Sequence, residues 1–215
     1  LSAGRRRRLL DAAIHVLIDP IARRSGCGPG RHFRKTGMGH RLSKIATRTG
    51  DTGTSGLATG ERLPKTDLRF AAMGDLDELN SAIGVVLATH PPPRFAEPLA
   101  EVQHRLFDIG GELALPQHPV LGEAQVLQLD QWLADFNADL PPLKEFVLPG
   151  GGGGAAHAHF ARAVARRAER SLWRVNEIAP VNPQSLRYLN RLSDLLFVIA
   201  RQLARLHGQE VTWRR

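Results

Sequence analysis

The chain has 215 residues, 42% of them apolar and 6% aromatic, enough for one domain whose core is filled by Leu, Ala, Ile and Val. A single cysteine, Cys27, excludes an intrachain disulfide, and no apolar run approaches the roughly 18 residues of a membrane span. The net charge of +8 would suit a nucleic-acid binder, but residues 1–37 carry nine Lys/Arg against Asp11 and Asp19, leaving 20 basic and 19 acidic residues in 38–215. A near-neutral body lacks the clustered basic surface that phosphate-backbone binding requires.

The basic leader, 1–37, is Arg-rich and has no apolar core ahead of a small-residue cleavage site, so it is a poor secretory signal. It reads as an extension ahead of a start at Met38, without fixed structure except for a short helix near 6–18. A transit peptide and an RNA- or membrane-touching arm are the alternatives. The location that follows is cytoplasmic, or the mitochondrial matrix if 1–37 is a transit peptide. The rest, 38–215, reads as one domain.

Residues 38–66 are polar, with five glycines between Gly39 and Gly60, and read as a loop with a brief strand at Lys44–Thr47. Five helices are predicted after it. The first, about 67–89, sets Leu68, Ala72, Leu76, Leu79, Ile83, Val86 and Leu87 on one stripe. The second, about 95–114, follows Pro91, Pro92 and Pro93 and uses Leu99, Val102, Leu106, Ile109 and Leu113. The third, about 123–137, carries Val126, Leu129, Leu133 and Phe136. A Pro141-Pro142 turn and the extended run FVLP then lead into five glycines, 150–154. The fourth helix, about 155–178, precedes Pro180 and Pro183, and the fifth, about 183–207, packs Leu186, Leu189, Leu192, Leu196, Ile199, Leu203 and Leu206. No strand pattern of useful length appears. Long amphipathic helices joined by short loops predict an all-α antiparallel bundle.

The fourth helix holds Arg162, Arg166, Arg170 and Arg174 at intervals of four, with Arg167 beside them. Such a row stacks along one face, and its like charges repel. It calls for a counter-anion, either carboxylates on a neighbouring helix or a polyphosphate gripped by charge-assisted hydrogen bonds. The loop Thr47-Arg48-Thr49-Gly50-Asp51-Thr52-Gly53-Thr54-Ser55-Gly56, with Lys65 downstream, offers backbone N–H groups and hydroxyls to an anion. It is neither a Walker A loop nor a dinucleotide fingerprint. Asp75, Asp77 and Glu78 open the first helix, either as favourable charge near its N-terminus or as an answer to the arginine row. Asn190 and Asp194 share a face, as a buried polar network or as the lining of a ligand pocket. Glu101-x-x-His104 is half of a di-iron signature without its second half, and His157 and His159 do not make a metal site; no metal ligand is assigned. Anion binding without a general base or nucleophile suits a reaction whose nucleophile arrives with the substrate.

Taken together, TRTGDTGTSGL with Lys65, GDLDELNSAIG, FVLPGG, ARAVARRAER and YLNRLSDLLF resemble the PduO-type ATP:corrinoid adenosyltransferase family, in order and spacing, over 44–207. The resemblance implies a helical bundle assembled as a homotrimer, with ATP bound between subunits. It implies transfer of the 5′-deoxyadenosyl group of ATP to the cobalt of reduced cobalamin, with release of triphosphate. It assigns Thr47–Gly56 and Lys65 to the triphosphate, with Mg²⁺. It places Arg166, Arg167, Ala168, Glu169 and Arg170 in the ATP-binding motif, and Asn190 on ATP from the fifth helix. Asp77 is implied to pair with Arg162 across the subunit boundary, and Phe146 to lie on the corrin side, where an aromatic displaces the lower axial ligand. A cobalamin reductase and an adenosylcobalamin-dependent enzyme are the implied protein partners, with no nucleic acid and no membrane. The chain departs from the pattern at Thr59, where Asp or Asn is usual, at Ser55 in place of a second threonine, and in its longer glycine run. A nucleotide-binding regulatory protein without turnover, and a nucleic-acid-binding bundle driven by the leader, are the competing classes. Joint presence of Phe146, Arg162 and Asp77 speaks against the first and the neutral body against the second.

Overall fold

A computed structural model describes residues 46–208 and 210–214. The leader 1–37, with Cys27 and the helix expected near 6–18, lies outside the described residues, as do Lys44 and Ile45 of the expected strand; Ala46 and Thr47 are not in a strand. The chain divides into two compact units, one ending at Lys65 and one spanning Thr66–Arg215.

The described part of the first unit is a glycine- and threonine-rich loop closed by a hairpin. Strand β1 (Thr54–Gly56) runs antiparallel to β2 (Arg62–Pro64), with Ser55 opposite Leu63. The sequence showed no strand pattern because three-residue strands are too short to display a period of two. The turn between them closes through Leu57 N–H to Glu61 O at 2.7 Å and Gly60 N–H to Leu57 O at 2.9 Å. Gly60, at φ 90°, takes a left-handed conformation that a side chain would strain. Thr59 Oγ1 accepts the Glu61 N–H at 3.3 Å, so this hydroxyl closes the turn as a short acidic or amide side chain would.

The second unit holds five helices, as the periodicity predicted. They are α1 (Leu68–Leu87), α2 (Pro93–Ala114), α3 (Glu123–Ala138), α4 (Gly153–Ile178) and α5 (Pro183–Leu206). Their starts follow local chemistry. Asp67 caps α1 by accepting the Arg69 N–H at 2.9 Å. Pro93 and Pro183 stand at the first position of α2 and α5, where a missing N–H costs nothing. In spatial order α2 packs on α1, α1 on α4, α4 on α5, and α5 on α3. Helix α5, packed between α4 and α3, buries the most residues, with Leu189, Leu192, Leu195, Leu196 and Ile199 fully enclosed. Four expected core residues are not buried: Leu68, Leu87 and Leu133 are half-buried, and Leu206, the last residue of α5, is 57% exposed.

Helix α4 begins two residues earlier than predicted, inside the glycine run. A Cβ built on Gly154 would lie 3.0 Å from Thr89 Oγ1, so the run lets the start of α4 approach the segment following α1. Buried Glu112 ties the α2–α3 connection to the start of α5. It accepts from the backbone N–H of Val120 (2.6 Å) and Leu121 (2.7 Å), from Asn182 Nδ2 (2.8 Å) and from Ser185 Oγ (2.5 Å). Four donors satisfy the carboxylate in an otherwise costly location. Among the described residues no helix is long and apolar enough to cross a membrane.

Candidate active site

The arginine row does not act as one group. Arg167 turns toward α1, where its Nε donates to Asp75 Oδ1 at 3.0 Å and its Nη2 pairs with Glu78. Ser171 Oγ adds a 2.5 Å hydrogen bond to Asp75 Oδ2. The pairing holds Glu78 below the ordinary carboxylate range, chiefly through the hydrogen bond from Arg167, and raises Arg167 in turn. Asp75 and Glu78 thus do answer the row, but they answer a single member of it. Arg166, Arg170 and Arg174 are exposed and have no carboxylate partner among the described residues. Arg170 Nη1 donates to the Arg166 carbonyl at 2.9 Å, which lays its guanidinium along the helix next to Arg166. Across from them, Asn190 Nδ2 on α5 donates to Glu169 Oε1 at 3.2 Å, joining two more of the expected nucleotide residues. Ala168, in the same motif, is fully buried and serves packing. Asn190 and Asp194 are both exposed, and Asp194 is taken by Arg191 at 3.0 Å, so they are not a buried network.

Arg162 is different again. It is half-buried, and its Nε has no hydrogen-bond partner among the described residues. Burial, then the charge of Arg166, pull its pKa down. An unsatisfied buried donor costs about 1–3 kcal/mol, so this guanidinium is poised to accept an anionic partner. Asp77, the partner the resemblance implies, is exposed on α1 with no hydrogen bond or ion pair within the described residues.

Arg162 opens onto a cavity of about 440 Å³ walled by the segment Leu143–Val147, His159 and Phe197. Phe146 stands at this cavity with 78% of its surface exposed. The structure therefore brings Arg162 and Phe146 together, although 16 positions separate them in the chain. The C-terminal segment holds Phe146 in place. Trp213 N–H donates to the Phe146 carbonyl at 2.7 Å, Leu148 N–H to Val211 O at 2.9 Å, and Val147 bridges Thr212 antiparallel. Glu210 anchors that segment by accepting from Arg201 Nε (2.7 Å) and Arg205 Nη1 (2.9 Å). Sequence reasoning missed this strap; its one signal was Val-Thr-Trp, three strand-forming residues after a helix.

In the first unit, Thr47 and Thr49 Oγ1 lie 3.1 Å apart, Asp51 and Thr52 are exposed, and Arg48 adopts φ 60°. A non-glycine residue in this left-handed conformation is uncommon and mildly strained. Arg62, absent from the sequence-based site, braces the loop: its Nη2 donates to Thr49 O (2.9 Å), Thr54 O (3.1 Å) and Thr54 Oγ1 (3.0 Å). Lys65 N–H donates to Gly53 O at 2.9 Å, and its ammonium folds over Gly50, where an added Cβ would meet Nζ at 3.0 Å. Glu101, half of the rejected metal signature, pairs with Arg105.

Residues 45–203 match the family model described as cobalamin adenosyltransferase. A "Cobalamin adenosyltransferase" of Cupriavidus metallidurans is 55% identical over 181 residues, covering 83% of this chain and 98% of that protein. A "Corrinoid adenosyltransferase" of Mycobacterium tuberculosis is 46% identical over 187 residues, covering 82% and 96%. Among solved structures, a variant PduO-type ATP:corrinoid adenosyltransferase from Lactobacillus reuteri, complexed with cobalamin and ATP, superposes with a TM-score of 0.76 at 32% identity, covering 80% of this chain and all of that one. With the bundle, the arginine helix and the Phe146 cavity in place, these likenesses make the chain a member of the PduO-type cobalamin adenosyltransferase family.

Proposed function

We propose that this protein transfers the 5′-deoxyadenosyl group of ATP to the cobalt of a reduced corrinoid, giving adenosylcobalamin and free triphosphate. The observation that carries the reading is the cavity that sets exposed Phe146 beside the unsatisfied guanidinium of Arg162, on the helix that also presents Arg166 and Arg170. Cobalt(I) carries the electron pair that forms the new bond to the ribose 5′ carbon; the C5′–O bond breaks, and its electrons leave with the triphosphate. No protein base is required. What the protein must supply is alignment of the two substrates and positive charge where the leaving group gains negative charge.

Arg166 and Arg170 serve as triphosphate ligands, as do the N–H groups and hydroxyls of Thr47–Gly56 and the ammonium of Lys65. Arg167, tied to Asp75 and Glu78, holds α4 against α1 so that its neighbours on α4 face outward. Glu169 and Asn190 hold the nucleotide from the α4–α5 side. Mg²⁺ favours carboxylate, hydroxyl and phosphate oxygens and keeps several waters. The exposed Asp51 carboxylate and the paired Thr47 and Thr49 hydroxyls fit such an ion, which would arrive with the nucleotide and neutralise part of its charge. The active assembly is a homotrimer with ATP between subunits, in which Asp77 of one copy meets Arg162 of the next. Both side chains lack an ion-pair partner within the described residues, which supports this reading. Phe146 takes the place of the lower axial ligand, and the loss of that ligand makes cobalt(II) easier to reduce.

The test is incubation of the full chain with ATP, Mg²⁺ and freshly reduced cobalamin. Conversion of the corrin spectrum to that of the alkylated cofactor, with stoichiometric free triphosphate, is the expected result. Absence of a cobalt–carbon bond, or release of pyrophosphate and phosphate in place of triphosphate, would sink the assignment.

A further inference from the structure

His159 lies on α4 one turn before Arg162, in the wall of the cavity that also holds Phe146. It is 3% exposed, and neither Nδ1 nor Nε2 has a hydrogen-bond partner among the described residues. Its ring meets Phe197 edge-on, with centroids 6.0 Å apart. Buried polar side-chain atoms nearly always find a partner in protein, water or ligand, so a histidine with two idle nitrogens at a cavity marks a place where something else completes it. Packing alone does not account for the residue, since an apolar ring would fill the same space against Phe197 without stranding two polar atoms.

Burial, and then the charge of Arg162, hold the imidazole below its usual pKa, outweighing the opposite pull of Glu210, whose carboxylate is itself engaged by Arg201 and Arg205. The ring is therefore neutral near pH 7, with one nitrogen a donor and the other an acceptor. Each nitrogen can pair with a primary amide, the donor with its carbonyl and the acceptor with its NH₂ group, whereas only the donor can pair with a phosphate, which at this pH brings acceptors almost alone. A corrinoid carries several primary amides around its macrocycle, and the triphosphate of ATP carries none.

We infer that His159 is a corrinoid-binding residue, one of whose ring nitrogens hydrogen-bonds a peripheral primary amide of the bound corrinoid, fixing the macrocycle in register with Phe146. This rests on the assignment of the cavity to the corrinoid. The contact is polar and directional, unlike the apolar contact of Phe146. It sets where the cobalt lies along the cavity, and nothing in the sequence motifs assigns it.

The experiment compares wild-type protein with His159→Leu and His159→Gln, all as the full chain, by thermal melting and by separate titrations with cobalamin and with ATP. His159→Leu is expected to weaken cobalamin binding about tenfold while ATP binding stays within about twofold. His159→Gln, which keeps a donor and an acceptor, is expected to recover cobalamin affinity to within about threefold of wild type. Unchanged cobalamin affinity in His159→Leu would overturn the proposal. So would equal losses for both ligands, or a glutamine variant as weak as the leucine variant, since each indicates a packing role. Wild-type protein that binds cobalamin but forms no cobalt–carbon bond would refute the transferase reading and leave this contact measurable. Wild-type protein that does not bind cobalamin at all would remove the contact along with the cavity assignment.

Discussion

Arg166 and Arg162 are one turn apart on α4 yet carry different burdens. Arg166 is exposed and bears its charge toward solvent, whereas Arg162 is half-buried and is destabilised as a cation partly by Arg166 itself. An anion arriving at Arg166 relieves both. Arg166→Ala should therefore lower turnover by about 10²–10³-fold, the cost of removing one preorganised charge-stabilising group. The melting temperature should stay essentially unchanged, because the residue is exposed and its side chain has no partner among the described residues. Wild-type rates in that variant would mean that the leaving group is held elsewhere. Phe146 makes the same kind of case for the corrin side. With 78% of its surface exposed at the cavity, it contributes little to the core, which fits the corrin-side role proposed for it. Phe146→Ala should slow the reaction started from cobalt(II) far more than the reaction supplied with chemically generated cobalt(I). Equal losses in the two assays would remove its ligand-displacing role.

At the level of elements, the helices were legible because their apolar residues recur at the helical period, and four of five starts coincide with a cap, a proline or a turn. The misplaced start of α4 has a clear cause. Glycines read as a loop, yet Gly153 and Gly154 are helical, and at Gly154 the missing side chain lets the helix pass close to Thr89. The β1–β2 hairpin and the C-terminal strap were illegible, since segments of three residues carry no period, and the strap's hydrogen bonds join positions far apart in sequence. The candidate site divides the same way. Residues within one motif, such as Arg166 and Arg170, could be read from spacing. His159 could not, because the ring contact with Phe197 and the cavity it shares with the 143–147 segment join residues far apart in the chain. The strap makes a prediction of its own. Burial alone would raise Glu210, but hydrogen bonds from Arg201 and Arg205 outweigh it and hold the carboxylate below its ordinary value. A carboxyl lowered by folding contributes stability that is fully present above its unfolded pKa and is lost as pH falls through the folded value. The amides of Leu148 and Trp213 should therefore exchange with solvent faster as pH drops below about 4.3, after correction for intrinsic exchange. Glu210→Gln should show fast exchange at neutral pH with the acid dependence gone. An unaltered profile in that variant would show that the strap does not depend on the carboxylate.

For the whole molecule, the question is what completes Arg162. The proposed cyclic assembly would account for two groups that lack a partner among the described residues, a buried donor and an exposed carboxylate on different helices. In a closed ring each copy gives its Asp77 to one neighbour and its Arg162 to the other, so every site is shared. That geometry can be tested without a structure of the assembly. Asp77→Asn and Arg162→Ala should each inactivate the homo-oligomer. When the two inactive proteins are unfolded together in equal amounts and refolded, some interfaces pair an intact Asp77 from one parent with an intact Arg162 from the other. Random mixing gives about one interface in four of this kind, so about a quarter of wild-type activity should return. If both residues acted within one chain, every chain would still carry a lesion and no activity would return. Sedimentation of differently tagged parents establishes that mixed oligomers formed, so that a flat result counts against sharing.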